Sequence, residues 1–334
     1  RTAIDTALAS DGKISHAEAL SIVDAAINAS TNNKVGDVVL ADLRALGSRG
    51  ASVFTSPDLT GKESGYLNYT FNSMVNSSAA NASYTGGDST VDPLGNLSGS
   101  SPVANLGKLR DKWLLGLDRP NPATEGDSAN AAVGAATGVY KVFAGDLVAA
   151  SGASAGFNYA DVTQGTAGTC YLLASIAAVA EAETYAKTQP SNASLDLYRN
   201  AFEQVFVKNG TSNTYGVRFF DQNGKALWVT VDNQLVASSS SAASPSYAKL
   251  SSANELWVPL LEKAYAQANE IGGFGRTKSD NSMMAIEGGL AEPIASFLGG
   301  AVSYFSANNE LYKPNFFGSG TDAAPYHRIL NPTL

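Results

Sequence analysis

The residue with the clearest capacity for chemistry is Cys170, the only cysteine among 334 residues. It has no partner in the chain with which to form a disulfide. The Gly-containing loop 164–169 precedes it and an apolar run follows it. We therefore expect Cys170 at the start of a buried helix, where unpaired N–H groups and the helix dipole stabilise a thiolate. Two plainer interpretations stay open: a small buried core residue, and a glycine loop that is only a tight turn.

The loop before Cys170 also offers a hydrogen-bond donor. A thiolate that attacks a carbonyl group creates an oxyanion, which is stabilised by a backbone N–H and a side-chain amide. The backbone N–H of Cys170 and the amide of Gln164, six residues upstream, are of these two kinds. The spacing therefore predicts a nucleophile and an oxyanion donor for acyl transfer.

Composition limits the classes of partner. A net charge of -8 argues against nucleic acid and against an anionic membrane surface, because no basic patch is present to release counterions. The sequence contains no apolar run of about 18 to 20 residues, so we expect no membrane span. Low cysteine content with abundant Asn and Ser fits a secreted or cell-surface bacterial protein, which we favour over a cytoplasmic one. The localisation otherwise stays open.

Residues 1–50 are predicted to form a helical leader. A capping box at Ser15–Glu18 begins one of its helices, in which His16 is expected to be solvated. Residues 11–14 and 32–35 resemble the second half of EF-hand calcium loops, yet the carboxylates expected at the other ligand positions are absent. We expect these two loops to pair Ile14 with Val35 and to bind little or no calcium.

Two further domains are predicted. Residues 51–150, rich in Gly, Ser and Asn, form a pro-region or linker with one helix at 103–117. Residues 151–334 carry the strongest periodic patterns. They predict a buried helix from Cys170 to Thr184, a second helix from Glu255 to Asn269, and a β-hairpin formed by 215–221 and 226–232.

Three segments together carry a family resemblance. The segment Gln164–Ser175 reads Gln-Gly-x-x-Gly-x-Cys-aromatic-Leu-Leu-Ala-Ser and resembles the nucleophile segment of calpain-type cysteine proteases of the papain-like superfamily. Residues 255–266, followed by 287–292, are a second match, and Val229–Asp232 is a third. The resemblance covers about residues 155–295 and implies an α+β fold, mainly the helical nucleophile lobe of a papain-like core. The leader looks like those of bacterial members.

The resemblance implies roles for several residues. Cys170 would be the nucleophile, forming a thioester with a protein or peptide substrate, and Gln164 would be the oxyanion donor. It also implies a Ca²⁺ site made by Asp161 and Glu255 with loop carbonyls near Ser154 and Gly156. Asp161 as a turn cap, and Glu255 as a first-turn residue favoured by the helix dipole, remain the alternatives.

The histidine and asparagine that the mechanism requires are not found in the family's sequence context. The chain has two histidines, His16 in the leader and His327, which lacks the expected Ala-aromatic pair. Asn331 lies too close to His327 and lacks the Trp-Gly that should follow. We therefore expect the base and its orienting Asn to come from a second lobe beyond Leu334, with this part inactive alone and residues 1–110 acting as a prosegment or packing module. The alternative is a catalytically incomplete, calcium-dependent binding or surface module.

Overall fold

A computed structural model describes residues 1–54, 65–88, 90–123, 138–150, 156–210, 212–289 and 293–299, and the backbone of the pairs 304–305, 311–312 and 326–327. The helices of this part are α1 (Thr2–Asp11), α2 (His16–Ala29), α3 (Asp37–Gly47), α4 (Tyr66–Val75), α5 (Val103–Arg110), α6 (Cys170–Thr188), α7 (Trp257–Asn269) and α8 (Pro293–Leu298). The strands are β1 (Ser83–Tyr84), β2 (Asp92–Pro93), β3 (Val139–Val142), β4 (Phe206–Lys208), β5 (Thr214–Phe220), β6 (Ala226–Asp232), β7 (Gln234–Ala237), β8 (Tyr304–Phe305), β9 (Leu311–Tyr312) and β10 (Tyr326–His327).

Helices and small sheets with antiparallel strand pairs make this an α+β fold, as predicted. The chain forms two compact units. The first contains Arg1–Asn121, Phe206–Arg218 and Trp228–Asn233, and the second contains the rest. The domain boundaries at residues 50 and 150 stay a prediction. No helix among the described residues is long and apolar enough to cross a membrane.

In the first unit, the predicted capping box begins α2. The Ser15 hydroxyl accepts from the Glu18 N–H, and the Glu18 carboxylate accepts from the Ser15 N–H at 2.9 Å. The prediction of a solvated His16 is wrong. His16 is 7% exposed, and its Nε2 lies 2.7 Å from the carbonyl of Leu114. It is the first residue of α2 and lies on the inner face, where burial lowers the pKa of its ring.

The expected pairing of Ile14 with Val35 is also wrong. The Ile14 N–H donates to the carbonyl of Val53 at 2.7 Å. The Val35 N–H donates to the carbonyl of Ser101 at 3.0 Å. Each of the two loops therefore satisfies its backbone with a segment far along the chain.

Helix α4 was not predicted, because the sequence around it reads as a linker with one helix at 103–117. Its apolar positions nevertheless recur at helical spacing and are buried, and its polar residues are satisfied locally: the Thr70 hydroxyl bonds to the carbonyl of Tyr66 at 3.2 Å. The predicted helix at 103–117 is present as α5, which continues into the π-helical turn Asp111–Leu115. The buried apolar residues of α4 are Tyr66, Leu67, Phe71, Met74 and Val75.

The sheet of order β4-β5-β6 closes the core of the first unit through its segments 206–218 and 228–233. The Tyr66 hydroxyl lies 2.6 Å from Oγ1 of Thr230, and the Thr230 hydroxyl donates to the carbonyl of Trp113. The early helices are therefore hydrogen-bonded to strands that follow Cys170 in the sequence.

In the second unit, α6 and α7 are the buried helices. Every residue of α7 is buried, and α6 buries Leu172, Ile176 and Val179. Strand β3 pairs antiparallel with β7. The predicted hairpin of β5 and β6 is confirmed. Its turn belongs to this unit, and there the Gly224 N–H donates to the carbonyl of Asp221 at 2.9 Å, while residues 214–218 and 228–232 of the two strands belong to the first unit.

Candidate active site

Cys170 is the first residue of α6, and it is exposed, while most of the helix behind it is buried. The prediction that this cysteine begins a buried helix is confirmed. The preceding residue, Thr169, is at the N-cap, with φ -102° and ψ 19°, and its side chain makes no capping hydrogen bond. Threonine normally caps a helix by accepting from a first-turn N–H, as Ser15 does in α2. The exposed thiol therefore lies at a helix start that no side chain caps.

The loop before Cys170 is fixed by backbone contacts on one side. The carbonyl of Ser246 accepts from both the N–H and the hydroxyl of Thr166, at 2.8 and 2.9 Å. A Cβ on Gly165 would lie 1.7 Å from the carbonyl oxygen of Tyr247, so only glycine fits against this segment. The loop is thus packed closely against the backbone of residues 246–247.

Gln164 is held inside the same loop. Its Nε2 donates to the carbonyl of Ala167 at 3.1 Å. This bond uses one of the two N–H groups of the amide and fixes the side chain to the turn that leads into Cys170.

A second segment fixes the loop from the other side. The Gly288 N–H donates to the carbonyl of Gly168 at 2.9 Å, and the Gly168 N–H donates to a carboxylate oxygen of Glu287 at 3.3 Å. The Tyr171 hydroxyl donates to the carbonyl of Ile286 at 2.8 Å. Gly168, two residues before the thiol, and Tyr171, the first residue after it, are therefore both hydrogen-bonded to residues 286–288.

A buried carboxylate contacts the end of loop 164–169, which we call the nucleophile loop. Glu262 of α7 is 1% exposed, accepts from the Thr169 hydroxyl at 2.5 Å and accepts from the Ala248 N–H at 2.8 Å. Burial raises the pKa of Glu262, and these two hydrogen bonds oppose that rise. Glu262 was not predicted as a site residue, although a glutamate that directly follows Leu260 and Leu261 in a helix was an available signal.

Asp161 and Glu255, the predicted calcium ligands, are each 1% exposed and lie together. The Asp161 carboxylate accepts from the indole N–H of Trp257 at 3.1 Å, and one oxygen of Glu255 accepts from the Ala149 N–H at 2.6 Å. Burial, and then the hydrogen bond and charge of Glu255, raise the pKa of Asp161 to about 6. Two buried carboxylates in contact repel each other unless a proton or a cation lies between them.

The remaining predicted ligands are loop residues. Gly156 has φ +79°, and its N–H donates to the carbonyl of Ala149 at 3.2 Å, which brings it to the segment that Glu255 also contacts. Ser154 lies outside the described residues. Among the described residues, no group of three His, Cys, Asp or Glu side chains is arranged to hold a metal. A cation at Asp161 and Glu255 would therefore need carbonyl oxygens as well, which are ordinary ligands of Ca²⁺.

The two histidines of the chain are the remaining candidates for a catalytic base. His16 belongs to the first unit and bonds to Leu114. For His327 the structure describes only its backbone in β10, opposite Tyr304, and Asn331 lies outside the described residues. Gln164 and Cys170 thus lie at the two ends of one hydrogen-bonded loop, and the structure describes no histidine side chain in the second unit.

An α+β fold in which one exposed cysteine begins a buried helix, after a loop that carries an amide donor, is typical of the papain-like class of cysteine peptidases. The sequence profile of the calpain family of cysteine proteases matches residues 148–314, half of the chain. The chain belongs to this family.

Known relatives agree with this membership. A calpain-type cysteine protease of Zea mays and one of Oryza sativa subsp. japonica are each 30% identical to the chain over 149 residues. The aligned part is 44% of this chain and 6% of each relative. The chain therefore spans a small fraction of the length of these relatives.

Proposed function

We propose that this chain carries the nucleophile half of a calcium-regulated cysteine endopeptidase. The observation that supports it most directly is the exposed Cys170 at the uncapped start of α6. The thiolate sulfur attacks the scissile carbonyl carbon, and the carbonyl electron pair moves to oxygen. The Cys170 N–H and the second N–H of Gln164 hold this oxyanion. The amine leaves with a proton from the base, and water then hydrolyses the thioester.

The base and its orienting asparagine are proposed to come from a second lobe in sequence beyond Leu334. The support is that the chain has only two histidines, that His16 already bonds to Leu114 within the first unit, and that the relatives are far longer than this chain. An imidazole is needed because it takes the thiol proton and returns it to the leaving amine.

Calcium is proposed to bind at Asp161 and Glu255. The residues fit a cation because the two carboxylates are buried together: burial, and then the neighbouring Glu255, raise the pKa of Asp161, and a cation would offset both effects. Backbone oxygens near Gly156 and Ser154 would complete the ligands. The bound ion would supply positive charge that orders the loop leading to Gln164; the attack itself is carried out by Cys170.

Residues 1–110 are proposed to act as a packing module. The first unit combines Arg1–Asn121 with two segments that follow Cys170, and Tyr66 hydrogen-bonds Thr230 in its core. A prosegment that is released by cleavage would have to break these buried bonds.

The test is covalent labelling of the full-length protein with an epoxysuccinyl peptide, with and without Ca²⁺, read by mass spectrometry of the peptide that carries Cys170. We expect labelling of Cys170 that increases with Ca²⁺ and is absent in Cys170→Ala. Labelling that does not respond to Ca²⁺ would contradict the calcium role. No labelling in either condition would contradict the peptidase and favour the catalytically incomplete binding module. The hydrogen bond between His16 and the carbonyl of Leu114 also supports that alternative, because it engages the ring of this histidine.

A further inference from the structure

The N-cap of α6 is used in an unusual way. In α2, Ser15 is an acceptor and satisfies a first-turn N–H. In α6, Thr169 is fully buried, and its hydroxyl donates to Glu262 at 2.5 Å instead. In this orientation the Thr169 hydroxyl makes no capping hydrogen bond, so it does not neutralise the positive field at the first turn of α6. Cys170 is the residue that lies in this field.

We propose that Glu262 is a positioning residue: by orienting the Thr169 hydroxyl, it prevents Thr169 from capping α6, and the uncapped helix dipole stabilises the Cys170 thiolate. Glu262 touches neither the thiol nor the substrate in this role. Its second oxygen accepts from the Ala248 N–H, so the carboxylate is fixed on both sides and holds the hydroxyl in one orientation. The inference deepens the proposed function and rests on it, because it assigns the support of that nucleophile.

The same carboxylate also connects the two sides of the nucleophile loop. Ala248 lies between Ser246, whose carbonyl holds Thr166, and Lys249, whose N–H donates to the carbonyl of Thr163 at 2.9 Å. Glu262 thus joins the N-cap of α6 to the segment on which the Gln164 loop lies. Removal of this acceptor would affect the field at Cys170 first, because the loop keeps its own bonds to Ser246 and Lys249.

The experiment measures the rate constant for alkylation of Cys170 by iodoacetamide in the full-length protein. In this reaction the thiolate sulfur forms a bond to the methylene carbon and iodide leaves. Glu262→Met removes the acceptor at similar volume, so the Thr169 hydroxyl is released to cap α6. We expect the rate constant to fall about tenfold. The double variant Glu262→Met/Thr169→Val has no hydroxyl to cap with, and its rate constant should return to within about threefold of wild type.

Two further variants separate positioning from general stability. Glu183→Met is the matched control, since Glu183 is also buried and accepts a backbone N–H, that of Phe202, at 2.7 Å. It should leave the rate constant unchanged. Glu262→Gln should also stay near wild type, because its amide oxygen accepts from Ala248 and its NH₂ group donates to the Thr169 oxygen. Loss of stability alone would not slow a thiol that is already exposed.

A wild-type rate constant in folded Glu262→Met, or no recovery in the double variant, would overturn the inference. Should Glu262→Met fail to fold, Thr169→Asn is the substitute, because its side-chain oxygen caps α6 while its amide still donates to Glu262. A rate constant equal to wild type there would also overturn it. Failure of the proposed function gives a different result: the protein would not react with the epoxysuccinyl peptide, whatever residue occupies position 262.

Discussion

At the scale of single residues, the site is defined by polar groups that the sequence separates widely and the fold brings together. Cys170 and Gln164 are close in the chain, and their segment identified them. Glu262 is 92 positions after Cys170, and nothing in its own neighbourhood predicts that it accepts from Thr169. Residue types and short spacing therefore predicted Cys170 as the nucleophile, while the contact of Thr169 with Glu262 could be found only in the fold.

Gln164 gives the first prediction at this scale. Gln164→Ala should lower kcat of the full-length protein toward a peptide substrate about a hundredfold, because one oxyanion donor is lost, while KM changes little. Steady-state kinetics check this result. Gln189→Ala, at the exposed end of α6, is the control and should behave as wild type. An equal kcat in Gln164→Ala would remove Gln164 from the oxyanion site.

The Asp161–Glu255 pair gives a second prediction. Without Ca²⁺, the pKa of Asp161 is raised to about 6 from an ordinary 3.8, so the contribution of Asp161 to the free energy of unfolding falls as pH rises from about 4 to about 6. In EDTA at pH 7, Asp161→Asn should therefore raise Tm by about 3 °C, since it removes one of two repelling charges. With Ca²⁺ the order should reverse, because the variant loses a ligand. Thermal melts in EDTA and in Ca²⁺ measure the change in Tm between wild type and variant under each condition.

The contradictory outcomes are distinct. If Asp161→Asn melts below wild type in EDTA, the two carboxylates do not repel each other as described. If Ca²⁺ leaves the Tm of wild type unchanged, the carboxylate pair is a structural cluster and no calcium site. Glu255→Gln is the matched variant and should show the same reversal.

At the scale of elements, the loop before α6 lies so close to neighbouring backbone that the space at each position decides which residue fits there. A Cβ at Gly165 would lie 1.7 Å from the carbonyl oxygen of Tyr247, whereas one at Gly168 would make ordinary contact with the side chain of Glu287 at 3.5 Å. Gly165 therefore has a steric reason to be glycine that Gly168 does not share.

This difference predicts unequal effects on stability. Gly165→Ala should lower the free energy of unfolding by about 2 kcal/mol or more, because backbone must move to admit the methyl group. Gly168→Ala should change it by less than about 0.5 kcal/mol. Urea denaturation of the two variants measures this difference, and equal losses would show that the loop does not lie against Tyr247 in solution.

At the scale of the whole molecule, the two compact units do not follow the order of the chain. The first unit takes its helices from the first 121 residues and the strands of its larger sheet from segments beyond Cys170, and Tyr66 contacts Thr230 within it. Deletion of residues 1–121 should therefore leave strands without their core and abolish a cooperative unfolding transition. Circular dichroism during thermal melting tests this, and a deletion variant that still melts cooperatively near the wild-type Tm would contradict it.

The fold could be predicted from sequence where local signals decide the structure, and could not where contacts between distant residues decide it. Local signals identified the capping box of α2, helices α5, α6 and α7, and the β5–β6 hairpin, because caps, turns and periodicity act within about a dozen residues. Helix α4 was missed because its Asn and Ser residues resemble a linker until Tyr66 and Phe71 are seen to be buried. The predicted pairing of Ile14 and the predicted exposure of His16 were wrong, because tertiary contacts with distant residues decide both.

The central claim is that Cys170 is the nucleophile of a peptidase. The most direct measurement is hydrolysis of an internally quenched peptide by the full-length protein in Ca²⁺, compared with its Cys170→Ser variant at equal concentration. We expect the wild-type protein to cleave the peptide and the variant to lose activity about a thousandfold or more, because a hydroxyl is a far weaker nucleophile than a thiolate at this helix start. Equal cleavage by both proteins, or none by the wild type, would contradict the claim.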